Sequence, residues 1–112
     1  MTIRERIKEI QKQLRENVIT PQLARESQIT LSALYGSVCD ALTDADVAYK
    51  RVIADAFDAE GKANRAKVRA ERSLEYAELQ MLKATEKTVL EMIRSCRAAL
   101  RSMEKEYEAS PR

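Results

Sequence analysis

Residues 31–61 read LSALYGSVCDALTDADVAYKRVIADAFDAEG, and this stretch decides the fold. Leu31, Tyr35, Val38, Leu42, Ala45, Tyr49, Val52 and Ala56 follow one another at alternating spacings of 4 and 3, the apolar seam of a heptad helix. Asp40, Asp44, Asp55 and Asp58 fall on the opposite, water-facing side. Gly36 interrupts the run at a local cost of up to ~1 kcal/mol. Gly61 ends it, since glycine adopts the left-handed conformation that closes a helix without a Cβ penalty.

Beyond Gly61 there is no proline or glycine until Pro111, which predicts one helix over 63–108, ~67 Å long at 1.5 Å per residue. Its main apolar face reads Ala66, Ala70, Leu74, Ala77, Met81, Thr85, Thr88, Met92, Cys96, Ala99 and Met103. From Leu79 onward the face widens to take in Leu82, Val89, Ile93, Leu100 and Tyr107, as a helix with two neighbours requires. Folding 31–60 and 63–108 back on each other about Gly61 pairs residues whose numbers add to about 122–123. Ala56 then faces Ala66, Tyr49 faces Leu74, Leu42 faces Met81 and Leu31 faces Met92. The same register places Cys39 about 12 residues, or ~18 Å, from Cys96, too far for an intrachain bridge.

Upstream, Ile3, Ile7, Ile10 and Leu14 form a stripe on a helix over about 3–18, with Thr2 and Glu5 spaced as a capping box. Residues 20–30 read as a connector, in which Thr20 and Pro21 suit the N-cap and first position of a short helix ending near Glu26. The isoleucine stripe is suited to cover Ile93, Leu100 and Tyr107, in the same chain or in a partner. The expectation is therefore an all-α chain, one elongated helical domain over 1–112. It has an N-terminal helix in 1–19, the connector, and a long antiparallel, coiled-coil-like hairpin of 31–60 and 63–108. A core thin in large side chains further predicts a homo-oligomer.

Composition excludes much else. With two glycines and two prolines in 112 residues, a sandwich, a barrel or a Gly-rich nucleotide-binding fold has too few turn formers. The absence of histidine removes His-dependent nucleophilic catalysis and His-based metal sites. Cys39 and Cys96 are too few for a disulfide scaffold or a four-thiolate zinc site. Asp44-Ala45-Asp46 begins like a calcium loop but lacks the later Gly and Glu, and Glu60-Gly61-Lys62 lacks the strand and loop of a phosphate cradle. No catalytic residue, metal, cofactor or small-molecule substrate is expected. No apolar run approaches the ~20 residues that span a bilayer, and the N-terminus has no signal-peptide core. A cytoplasmic protein with no membrane partner is expected.

The net charge of +2 hides segregation. Residues 17–60 carry three basic and seven acidic side chains, whereas 61–73 carry five basic and one acidic. On a continuous last helix, Lys62, Arg65, Arg69, Arg72, Lys83, Lys87, Arg94, Arg97, Arg101 and Lys105 fall within an arc of about 100°. Lys67 lies outside that arc, and glutamates including Glu71, Glu75, Glu78, Glu86 and Glu104 collect along its flank. Charged solvent faces are ordinary on helices, but they usually alternate sign, so that neighbours three or four apart attract. Here Arg65–Arg69, Arg69–Arg72, Lys83–Lys87, Arg94–Arg97 and Arg101–Lys105 repel, relieved in part by Lys83–Glu86, Arg101–Glu104 and Lys105–Glu108. Such a ridge suits the phosphates of a nucleic acid, or an acidic protein surface. Tyr76 falls on it, where it would stack on a base.

The Tyr- and Ala-rich helix ending in Ala59-Glu60-Gly61, the basic start at Lys62, Arg65 and Lys67, and the closing Arg94, Arg97, Leu100, Arg101 and Met103 resemble a group of short, uncharacterised tailed-phage proteins. These are helical hairpins encoded near replication and recombination functions. The resemblance covers roughly residues 45–105 and excludes the N-terminal isoleucine helix. It implies an accessory role in DNA metabolism, in the host cytoplasm, and brings no site residues with it.

Overall fold

The computed structural model describes residues 2–109. Within them the chain is all-helical, with α1 Ile3–Glu16, α2 Pro21–Glu60, α3 Ala63–Ala70 and α4 Leu74–Ala109. Each start has a local cause. The Thr2 hydroxyl accepts from the Glu5 N–H at 3.2 Å, and the Thr20 hydroxyl accepts from the Leu23 N–H at 3.1 Å. Pro21 takes the first helical position, where its missing N–H costs nothing. At the other end of α1, the Asn17 side-chain amide donates to the Gln13 carbonyl at 3.0 Å. Gly61, at φ 70°, closes α2 with its N–H on the Phe57 carbonyl at 2.8 Å.

Two sequence-based boundaries fail. Residues 20–30 are not a connector: α2 runs unbroken from Pro21. Counting back from Leu31 at the same spacings lands on Ser27 and Ala24, both buried, so the seam starts seven residues earlier than its large side chains suggest. Nor is 63–108 one helix. Between α3 and α4, the Arg72 and Ser73 N–H groups bond three residues back, to the Arg69 and Ala70 carbonyls. These are the tighter bonds of a 3₁₀ turn. Ser73 holds the break in place, its hydroxyl donating to the Ala70 carbonyl at 2.6 Å and accepting from the Tyr76 N–H at 3.2 Å. It is the N-cap of α4.

The chain divides into two compact units. One holds the chain up to Ser37 and again from Lys87. The other is Val38–Glu86.

In the first unit, α1, the start of α2 and the end of α4 bury Ile7, Ile10, Ala24, Ser27, Leu31, Leu34, Val89, Met92, Ile93 and Cys96. Fully burying a side chain such as Leu31 contributes about 1.5–3 kcal/mol. The end of α1 meets α4 early: Gln11, Leu14 and Arg15 share a surface cavity with Lys87, Thr88, Glu91, Met92 and Ser95. Leu100 and Tyr107, assigned from the sequence to α1, instead share a notch with Pro21 and Arg25 of α2.

In the second unit the buried set is Val38, Ala56, Ala66, Ala70 and Leu79, mostly small residues. Tyr49 of α2 meets Tyr76 of α4, and Val52, Asp55 and Ala56 share a cavity with Arg69 and Ser73. The chain thus runs back on itself here, but Tyr49 sits opposite Tyr76 rather than Leu74. The 3₁₀ turn interrupts the helix here, and the expected apolar face fails in the first turns of α4. Leu74 is 86% exposed and Met81 46%. Ala77 is exposed as well, while Leu79 is buried and Leu82 half-buried.

Candidate nucleic-acid interface

All ten cations of the expected ridge are exposed. The break at Glu71–Ser73 removes the continuous helix that would have aligned them. Lys62, Arg65, Arg69, Arg72 and Lys83 belong to one unit; Lys87, Arg94, Arg97, Arg101 and Lys105 belong to the other.

In Val38–Glu86, the turn at Gly61 and the short helix α3 bring three arginines together. Arg65, Arg69 and Arg72 line one open concavity of about 520 Å³ with Glu60, Asn64 and Val68. Arg69 Nη1 donates to Glu60 Oε1 at 3.2 Å, which fixes one guanidinium at the rim. Lys62 precedes α3 at its N-cap and makes no side-chain cap bond. Lys67 takes no part in the concavity, in line with its place outside the basic arc.

In the other unit, Lys87, Arg94, Arg97, Arg101 and Lys105 share a single helix, where about 100° per residue keeps them within an arc of roughly 80°. Arg94 meets Glu91 at 3.6 Å, one turn away, with both side chains largely in solvent. Such a contact is worth little and leaves the arginine available. The relief expected from Lys83–Glu86, Arg101–Glu104 and Lys105–Glu108 does not materialise as ion pairs among the described residues. Arg15 of α1 joins this surface, lining the cavity of about 550 Å³ that holds Lys87. Sequence reasoning missed it because its closeness to Lys87 is a tertiary contact. The one available signal was its position in the basic last turn of α1.

Tyr76 is not free to stack on a base. Its ring packs against Tyr49, and it is half-buried. Burial, the Glu71 carboxylate and Tyr76 together, in that order of weight, push the Tyr49 phenol above its ordinary value. Burial alone pushes the Cys96 thiol up. Cys39 and Cys96 are both free thiols. Asp46, part of the acidic run on α2, pairs with Lys50 at 2.9 Å. Among the described residues no group of three or more Cys, Asp or Glu is placed to hold a metal ion. No helix among them is long and apolar enough to cross a membrane.

Comparison with protein-family models, with curated proteins and with solved structures returns no match.

Proposed function

We propose that this chain is a non-enzymatic, oligomeric helical-hairpin protein that holds nucleic acid by its phosphates through an exposed basic helix face. One observation carries the reading: the run of Lys87, Arg94, Arg97, Arg101 and Lys105 along the end of α4, met only by the weak Glu91 contact among the described residues. Phosphate contacts made by such a face are salt-dependent and indifferent to base sequence. The resemblance to tailed-phage hairpin proteins supports an accessory place in DNA replication or recombination, inside the host cell. The lack of histidine supports a role without catalysis.

Titrating full-length protein with DNA and RNA duplexes and single strands across a salt series tests this. Binding that weakens steeply with salt, and that is lost on reversing Arg94, Arg97 and Arg101 to Glu, is expected. Wild type that fails to bind at low salt, or a reversed variant that still binds, rejects it.

A second reading, a protein-interaction module or assembly subunit, draws on the exposed apolar side chains of Leu74, Met81 and Val68. Apolar groups at such exposure gain from a partner surface, including that of another copy. Sedimentation without nucleic acid decides the oligomer claim: a single monomeric species over a wide concentration range rejects it.

A further inference from the structure

We propose that the concavity beside the Gly61 turn is a discrete site for a dianionic phosphate monoester. The site lies in Val38–Glu86, apart from the α4 cations on which the nucleic-acid reading rests, and it stands without that reading. Arg65, Arg69 and Arg72 follow one another at spacings of 4 and 3 along one side of α3 and the turn after it, and line one shallow concavity against the single carboxylate of Glu60. Three guanidiniums and one carboxylate leave two positive charges. A phosphate monoester carries about −1.5 to −2 at neutral pH, a closer match than the single charge of a diester.

Geometry favours the same ligand. Guanidinium forks match phosphate oxygens two at a time, which a lysine ammonium cannot do. Arg69 is already oriented by its 3.2 Å bond to Glu60, so less side-chain freedom is lost when an anion arrives. Asn64 adds an amide, and Val68 is an apolar surface, 53% exposed, for whatever the phosphate is attached to. The concavity is open to solvent, so whatever the phosphate is attached to can extend away from the arginines. The same group reaches the site from two sources: a strand with a terminal phosphate, or a free phosphorylated small molecule such as a mononucleotide.

The test is a titration of the full chain, followed through its arginine side-chain N–H signals by NMR, with inorganic phosphate, a nucleoside 5′-monophosphate and dimethyl phosphate. Saturable shifts confined to Arg65, Arg69 and Arg72 are expected for the first two, with the monoanionic diester bound about tenfold more weakly. The paired variant R65Q/R72Q should lose the response, while K67Q, an equal change in charge per site on the same helix, should keep it. R65K/R72K preserves the charge and should still bind at least severalfold more weakly, which guards against misfolding of the glutamine pair. Equal shifts at Arg97 and Arg101, or equal weakening by K67Q, would reduce the site to general charge attraction and overturn the proposal. A final arm compares one oligonucleotide with and without a 5′-phosphate. Tighter binding of the phosphorylated strand, abolished by R65Q/R72Q, identifies a strand end as the source. Equal binding of both strands, beside a saturable response to the mononucleotide, identifies the free monoester.

Discussion

Tyr49 and Tyr76 pack with ring centroids 5.2 Å apart and planes inclined by 44°, joining the second half of α2 to the first turn of α4. The contact sets the register of Val38–Glu86, two residues away from the pairing that heptad spacing suggests. It also draws into the fold a tyrosine that the sequence places among the nucleic-acid contacts. Tilted aromatic pairs at this distance contribute about 0.5–1.5 kcal/mol beyond the area they bury.

A double-mutant cycle on Tyr49→Ala and Tyr76→Ala, read by urea unfolding, should therefore return a coupling energy of about 0.5–1.5 kcal/mol. Strict additivity of the two substitutions would mean that the rings do not meet in solution.

Alkaline pH should destabilise the protein through Tyr49 and Cys96. Both hold their protons more tightly when folded than at their ordinary values of 10.0 and 9.0. Ionisation therefore favours the unfolded chain. The stabilisation is complete below those values and is lost as pH climbs through and above them. Tyr49→Phe should flatten the upper part of that loss, above the phenol range. A profile identical to wild type there would dissociate Tyr49 from it. Labelling offers an independent check on Cys96, which is 3% exposed where Cys39 is half-buried. A thiol reagent followed by mass spectrometry should modify Cys39 at least about tenfold faster. Equal rates would contradict the burial of Cys96.

The two glycines should respond in opposite directions. Gly36 lies inside α2 with nothing within 4 Å of an added Cβ. Gly36→Ala should stabilise by about 0.5–1 kcal/mol. Gly61 has the same open space but a φ of 70°, so Gly61→Ala should destabilise by about 1–2 kcal/mol. Chemical denaturation of both variants measures the difference, and a Gly61→Ala chain as stable as wild type would exclude the left-handed turn.

Leu74 and Leu31 separate the two competing accounts of the apolar faces. Leu74→Gln should change stability by less than about 0.5 kcal/mol at dilute protein, since the side chain is already in water. Leu31→Ala should cost about 2–5 kcal/mol. Ser73→Ala, which removes the cap at the break, should cost about 1 kcal/mol. A large loss from Leu74→Gln would restore the straight helix over 63–108.

Much of this was legible beforehand. All eight seam positions from Leu31 to Ala56 are buried or half-buried, and Thr2, Thr20, Pro21 and Gly61 cap or close helices where their chemistry places them. The start of α2 is hidden in the sequence because Ala24 and Ser27 are small, and small residues carry a weak hydrophobic signal even when buried. On the last helix the expected face fails in its first part, where Leu74, Ala77 and Met81 are exposed; farther on, Met92 and Cys96 of that face are buried together with Val89 and Ile93 of its widened edge. For the candidate site, exposure of the ten cations followed from their type and spacing. Their division between two units did not, because it depends on which segments pack together.

The sequence by itself determined what depends on near neighbours: four of the helix-end signals, the seam of α2, and a set of cations on the water side. Hydrogen-bonded caps and a 3.6-residue period act over a turn or two, so they can be read from a string. Tertiary structure decided the register of Tyr49 on Tyr76, which part of the apolar face of α4 goes inside, the meeting of Arg15 with Lys87, and the pairing of Arg69 with Glu60. Each of these turns on which apolar surfaces leave water together, a comparison among distant segments that no local pattern contains.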